Sequence, residues 1–287
     1  MKQPSRSLFG VCLMLLVCGS ALAQAPPKIL VIQREFTKPG KGGAIHDKTE
    51  SAFAQEFTKA KVPVVYLGMN ALSGKARVLF MSFYESFDAW EKEVASVNKN
   101  ETLSAALDRL NVADGELLES TDQAVYTLRN DYNFNPKANN PHRRALEVLV
   151  FHVKPGHYKE WDELLKLVLA TYGKAIPEAH WACFESMFGA PSGTFIFLTA
   201  IDHASDIDAS MLDDKKFAET LGPDGLTKLG ELEAASVESS EQQLFVYNPR
   251  LSHPSEEFLK ADPDFWSPKP MAPKAPAKKK EAAAPAQ

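Results

Sequence analysis

Residues 28–43 read KILVIQREFTKPGKGG, and residues 144–161 read RALEVLVFHVKPGHYKEW. In both stretches an apolar, β-branched run stops at Lys-Pro-Gly and a helical pattern follows. Pro39 and Pro155 cannot donate to a sheet, and Gly40 and Gly156 supply turns, so each run predicts a strand, a break and a helix. The same junction at two places raises the question whether one unit is built twice.

Three anchors in the same order answer it. Lys38-Pro39-Gly40 matches Lys154-Pro155-Gly156 at an offset of 116, Ser73-Gly74 matches Ser192-Gly193 at 119, and Asp88 matches Asp206 at 118. A drift of this size is what short loop insertions produce. In the first copy the helix AIHDKTESAFAQEFTKAK carries Ala52, Phe53, Phe57 and Ala60 on one stripe, with Asp47 and Glu50 in capping-box spacing. VPVVYLGMNAL and RVLFMSFYES read as strands around the SGKA turn, and Phe87, Trp90, Val94 and Val97 mark a second helix. Leu103, Ala106, Leu107 and Leu110 continue the helical period. The second copy repeats this order, with Trp161, Leu164, Leu165, Val168 and Tyr172 on its first helix. TDQAVYTLR and EQQLFVYNPR supply a closing strand to each copy, and their alignment sets Tyr126 against Tyr247 or a neighbouring residue.

Each unit therefore reads β-α-β-β-α-β, an α+β ferredoxin-like layout with helices on one face of an antiparallel sheet. In FIFLTAI, Phe195, Phe197, Thr199 and Ile201 share one face, and Ile196, Leu198 and Ala200 share the other. Both faces are apolar, so both need cover. Helices cover one. The sheet of the other unit covers the second, and two tandem units packing sheet to sheet close into a barrel.

This layout resembles the dimeric α+β barrel superfamily, which includes antibiotic-biosynthesis monooxygenase-like, NIPSNAP-like and chlorite dismutase-like proteins. The resemblance spans Lys28 to Arg250. It implies two ferredoxin-like units fused in one chain. It also implies two kinds of chemistry, metal-free oxygenation of aromatic substrates and non-covalent haem binding through a histidine.

The chain ends carry other signals. Lys2 and Arg6, the apolar run LFGVCLMLLV and then SALAQA are expected to form a signal peptide over residues 1–23, with export to the periplasm or the extracellular space. The first unit is expected over 24–130, a linker over 131–143 and the second unit over 144–250. Residues 251–287, rich in Pro, Ala and Lys, are expected to be an extended, disordered tail. Without residues 1–23 the chain has 30 Lys plus Arg against 37 Asp plus Glu, a net charge of −7. Such a balance argues against nucleic acid as a partner. Past the signal segment no apolar run is long enough to span a bilayer, and one thiol, Cys183, is left. The duplication leaves monomer and homo-oligomer equally open.

The expected ligand is a small apolar or aromatic molecule. Four side chains are candidates to face it. His152 replaces the aromatic Phe36 of the first copy on a core-facing strand. Arg34 stands where the second copy has Val150, next to Glu35 where it has Phe151. Glu185 and Tyr84 offer an acid and a hydroxyl. There is no H-E-x-x-H or C-x-x-C pattern, and no metal site is read. No cofactor is expected; haem is the alternative, with His152, His157 or His180 as its ligand.

Overall fold

The computed structural model describes residues 27–136 and 140–267. The expected signal peptide and the run 268–287 lie outside them. The first unit comprises β1 (Ile29–Thr37), α1 (Ala44–Ala60), β2 (Leu67–Ala71), β3 (Arg77–Tyr84), α2 (Phe87–Asn98), α3 (Glu101–Gly115) and β4 (Leu118–Leu128). The second comprises β5 (Ala145–Val153), α4 (Tyr158–Ala175), β6 (Ala182–Phe188), β7 (Thr194–Ile201), α5 (Ala204–Ser236) and β8 (Val237–Tyr247). Two short helices follow, α6 (Glu256–Ala261) and α7 (Pro263–Trp266).

All strand pairs are antiparallel, and the eight strands close into one barrel in the order β1-β3-β2-β8-β5-β7-β6-β4. Within it each unit keeps the ferredoxin-like order, β4-β1-β3-β2 and β8-β5-β7-β6. The units meet at two seams, β2 with β8 and β6 with β4. The second strand of each unit thus pairs with the last strand of the other. Both strand edges that a lone unit would expose are covered.

The two-faced strands explain the layers. Leu30, Ile32, Met81, Val148, Ile196, Leu198 and Phe245 point inward and form the barrel core. Ile29 and Val31 point outward under the first helical layer. Phe195 and Phe197 point outward under the second, onto Trp161, Leu164 and Leu165 of α4. The kink of α5 at Gly222 and Pro223 answers the break between α2 and α3. Tyr132 is buried in the second unit's outer core, and Phe134 stacks on Trp181 at 5.0 Å, so the inter-unit crossing is pinned.

Three expectations are corrected. Leu30 pairs with Tyr126 and Leu146 with Phe245, so Tyr126 corresponds to Phe245 and not to Tyr247. The α1 cap is Gly43, and Asp47 lies inside the first turn, so Asp47 and Glu50 form no capping box. Residues 251–267 are folded. Leu251, Phe258 and Trp266 are buried, and Trp266 Nε1 donates to the Pro141 carbonyl at 2.7 Å, so this segment plugs one barrel end.

Candidate functional site

The four side chains expected to face a ligand are dispersed, each with its own partner. Arg34 Nε meets Asp122 Oδ1 at 2.6 Å across the β1–β4 pair, and both side chains are over a third exposed. His152 Nδ1 lies 3.0 Å from Thr194 Oγ1 across the β5–β7 pair. Glu185 pairs with Arg129, which also holds Asp131. The Tyr84 hydroxyl donates to Glu93 at 2.7 Å, and its ring stacks on Trp90. Burial raises the Tyr84 phenol and the Glu93 carboxyl above their ordinary ranges. Cys183 is fully buried, and burial pushes its thiol up, as an inert core thiol requires.

Two other places hold more. At the plugged end, a cavity of about 300 Å³ opens between the barrel core and α6. Its wall is apolar, from Leu67, Met81, Leu146, Phe184 and Leu198. Arg143 and His180 bring polar groups to it. Arg143 is buried, donates from Nε to the Asn140 carbonyl, and lies 5.4 Å from the Phe258 ring. His180 Nε2 is 3.1 Å from the Ala200 carbonyl oxygen. This site needs β6, β7 and the C-terminal plug together, so no local sequence pattern announces it.

The second place lies outside the barrel, under the helices of the first unit. Glu35 on β1, His46 and Glu50 on α1, and Asp114 at the end of α3 are all buried and converge. His46 Nε2 is 3.2 Å from Glu35 Oε2, 3.2 Å from Asp114 Oδ1 and 3.9 Å from Glu50 Oε1. Neighbours orient the carboxylates: Gln33 Nε2 donates to Glu35 Oε1 at 2.6 Å, and the Thr49 hydroxyl lies 2.9 Å from Asp114 Oδ1. Burial works against a charged His46, but contacts with Asp114 and Glu35 and the charge of Glu50 outweigh it, lifting the imidazole to about 10. Burial, then the charges of Glu35 and Asp114, push Glu50 up to about 9. Burial and the charges of Glu50 and Glu35 also raise the nearby Tyr66 phenol. Among the described residues this quartet is the group of His, Cys, Asp and Glu placed to hold a metal ion.

No protein-family model matches the sequence, and no curated protein matches it. Solved structures do match. A monooxygenase-like protein of Fusobacterium nucleatum aligns over 78% of this chain and 94% of its own, at 11% identity and a TM-score of 0.50. This chain shares the α+β barrel fold of that protein. An anthrone oxidase-like protein aligns over 78% of this barrel chain and 92% of its own, at 14% identity and a TM-score of 0.48. A chlorite dismutase variant of Candidatus Nitrospira defluvii aligns over 82% and 95%, at 10% identity and a TM-score of 0.47. At these identities the likeness concerns fold. Among the described residues no helix is long and apolar enough to cross a membrane.

Proposed function

We propose that this chain is an exported barrel protein that binds a small, largely apolar or aromatic molecule at the plugged end of its barrel. The cavity of about 300 Å³ carries the reading. Its size is at the lower end of small-molecule pockets, about 300–1,000 Å³, and its composition of apolar walls with few polar groups is typical of them. The ligand's apolar body lies against Phe184 and Leu198, and a polar end is directed to Arg143 and His180. The export half of the reading rests on the sequence of residues 1–23.

The second reading is a monooxygenase-like or haem-binding enzyme at the same cavity. His180 favours it, as the imidazole on the wall. A haem would need a wider cavity and would need His180 Nε2 to leave the Ala200 carbonyl. The small-ligand reading needs neither change.

Ala200→Phe places a ring in the cavity from the inward face of β7. Titration of the mature protein with an anilinonaphthalene probe is expected to show saturable fluorescence, and Ala200→Phe to weaken it at least about tenfold. Equal binding by both proteins, with both folded by circular dichroism, would overturn the assignment. A Soret band in the purified protein that is lost in His180→Ala would move the assignment to haem.

A further inference from the structure

None of the four quartet residues beneath α1 lines the ligand cavity. Three carboxylates and one imidazole are buried together, and among the described residues no Lys or Arg forms an ion pair with any of them. Only His46 stands among the three carboxylates as a possible counter-charge, and gathering that many ionisable groups in one buried place is costly. His46 is 0% exposed, and neither ring nitrogen has a hydrogen-bond partner among the described residues. Its Nε2 is 3.2 Å from two carboxylate oxygens, yet it forms a hydrogen bond with neither. Glu35 Oε2 is likewise buried without a partner. His46 Nε2 and Glu35 Oε2 share one space with oxygens of Glu50 and Asp114, as ligand atoms do.

The spacing agrees. Atoms about 2.0–2.2 Å from one ion stand about 2.8–3.6 Å apart as neighbours, and about 4.0–4.4 Å apart when opposite. Two contacts from His46 Nε2, both 3.2 Å, stand at the neighbour spacing, while the third at 3.9 Å and the outer limit of 4.8 Å among the four atoms require small side-chain shifts to close on an ion. Gln33 and Thr49 supply the outer hydrogen bonds that fix carboxylate ligands.

The second unit shows what this layer contains when no charge is needed. Glu35 corresponds to Phe151 in strand register. Phe151 packs on Trp161 of α4 at 5.2 Å between ring centres, within a cluster that includes Leu165 and Leu232. The same strand–helix layer is apolar in one unit and ionisable in the other.

We infer that Glu35, His46, Glu50 and Asp114 form a binding site for one divalent first-row transition ion in the first unit. One imidazole and three carboxylates suit Mn(II), Fe(II) or Zn(II). Acting as ligands, a neutral His46 and three ionised carboxylates total −3, and a divalent ion brings the sum to −1.

The test uses the mature full chain, stripped with chelator and titrated separately with Mn(II) and Zn(II) chloride. One equivalent is expected to bind and to raise the melting temperature. Glu50→Gln and Asp114→Asn, which keep side-chain volume, are expected to weaken binding at least about a hundredfold. Zinc-edge X-ray absorption of the wild type reads the site without any variant, and a first shell of oxygen with one imidazole is expected. Three results would overturn the site: no bound equivalent and no melting shift with either ion, unchanged affinity in folded variants, or a shell lacking imidazole.

Discussion

Glu35 and Phe151 occupy equivalent places in two copies of one unit, and the contrast between them concentrates the chemistry in the first copy. Its cost is visible in proton linkage. In the metal-free protein His46 is lifted from 6.5 to about 10 and Glu50 from 4.5 to about 9. The His46 contribution is full below pH 6.5 and is lost as pH rises through about 10. Glu50 keeps its proton when folded but releases it when unfolded, so its contribution is full below 4.5 and lost by about 9. Both slopes have the same sign. Urea unfolding in chelator is expected to show stability falling as pH rises across this span, less steeply in Glu50→Gln; a flat or rising profile would contradict the pairing. The quartet is marked in the sequence by the ends of its apolar stripes. His46 and Glu50 precede Phe53 and Phe57 on the same helical stripe, Asp114 follows Leu110 by four, and Glu35 alternates with Ile29 and Val31. Extending each core-facing stripe past its last apolar member lands on all four. Arg34 and His152 attracted attention as odd residues on core-facing strands, but a strand end with a cross-strand partner accommodates them.

At the scale of elements, strands and helices followed from periodicity because strands such as β3 and β7 are apolar on both faces, β4 and β8 end in apolar runs, and each helix has one stripe. Register was harder to read. The Tyr126 alignment fails because it matches tyrosine to tyrosine by residue type, whereas the pairing to β1 and β5 keeps β4 and β8 at one offset, with Leu118 against Val237 and Tyr126 against Phe245, and a bulge at the same place in both units. The β4–β6 seam has its own marker in Gly189. Its φ is 77°, and a Cβ there would lie 2.2 Å from the Gln123 carbonyl oxygen. Gly189→Ala therefore strains the backbone and collides with the neighbouring strand. A loss of at least about 2 kcal/mol is expected by chemical denaturation. Gly115→Ala, which meets nothing within 4 Å, is expected to stay within about 0.5 kcal/mol. Equal effects would mean that the seam is not closed at Gly189.

At the scale of the whole molecule, duplication supplies both sheets in one chain, so closing the barrel does not require a second copy. That much was legible from the repeat of Lys-Pro-Gly, Ser-Gly and Asp at matched junctions. The plug was not. Its composition merges with the Pro, Ala and Lys run that follows, and only contact with the barrel end shows why Phe258 and Trp266 are there. Gly68 marks where the chain leading to the plug crosses the outer face of β2, since a Cβ on it would lie 2.6 Å from the Leu251 backbone oxygen. The plug makes the barrel end a chamber, and the proposed function depends on that chamber being occupied. Native mass spectrometry of the mature chain, purified from the exported fraction without added cofactor, measures this most directly. The account predicts a chain mass carrying one small organic molecule, and the bare chain mass for Ala200→Phe. A wild-type chain that flies bare and also takes up no anilinonaphthalene probe would contradict it.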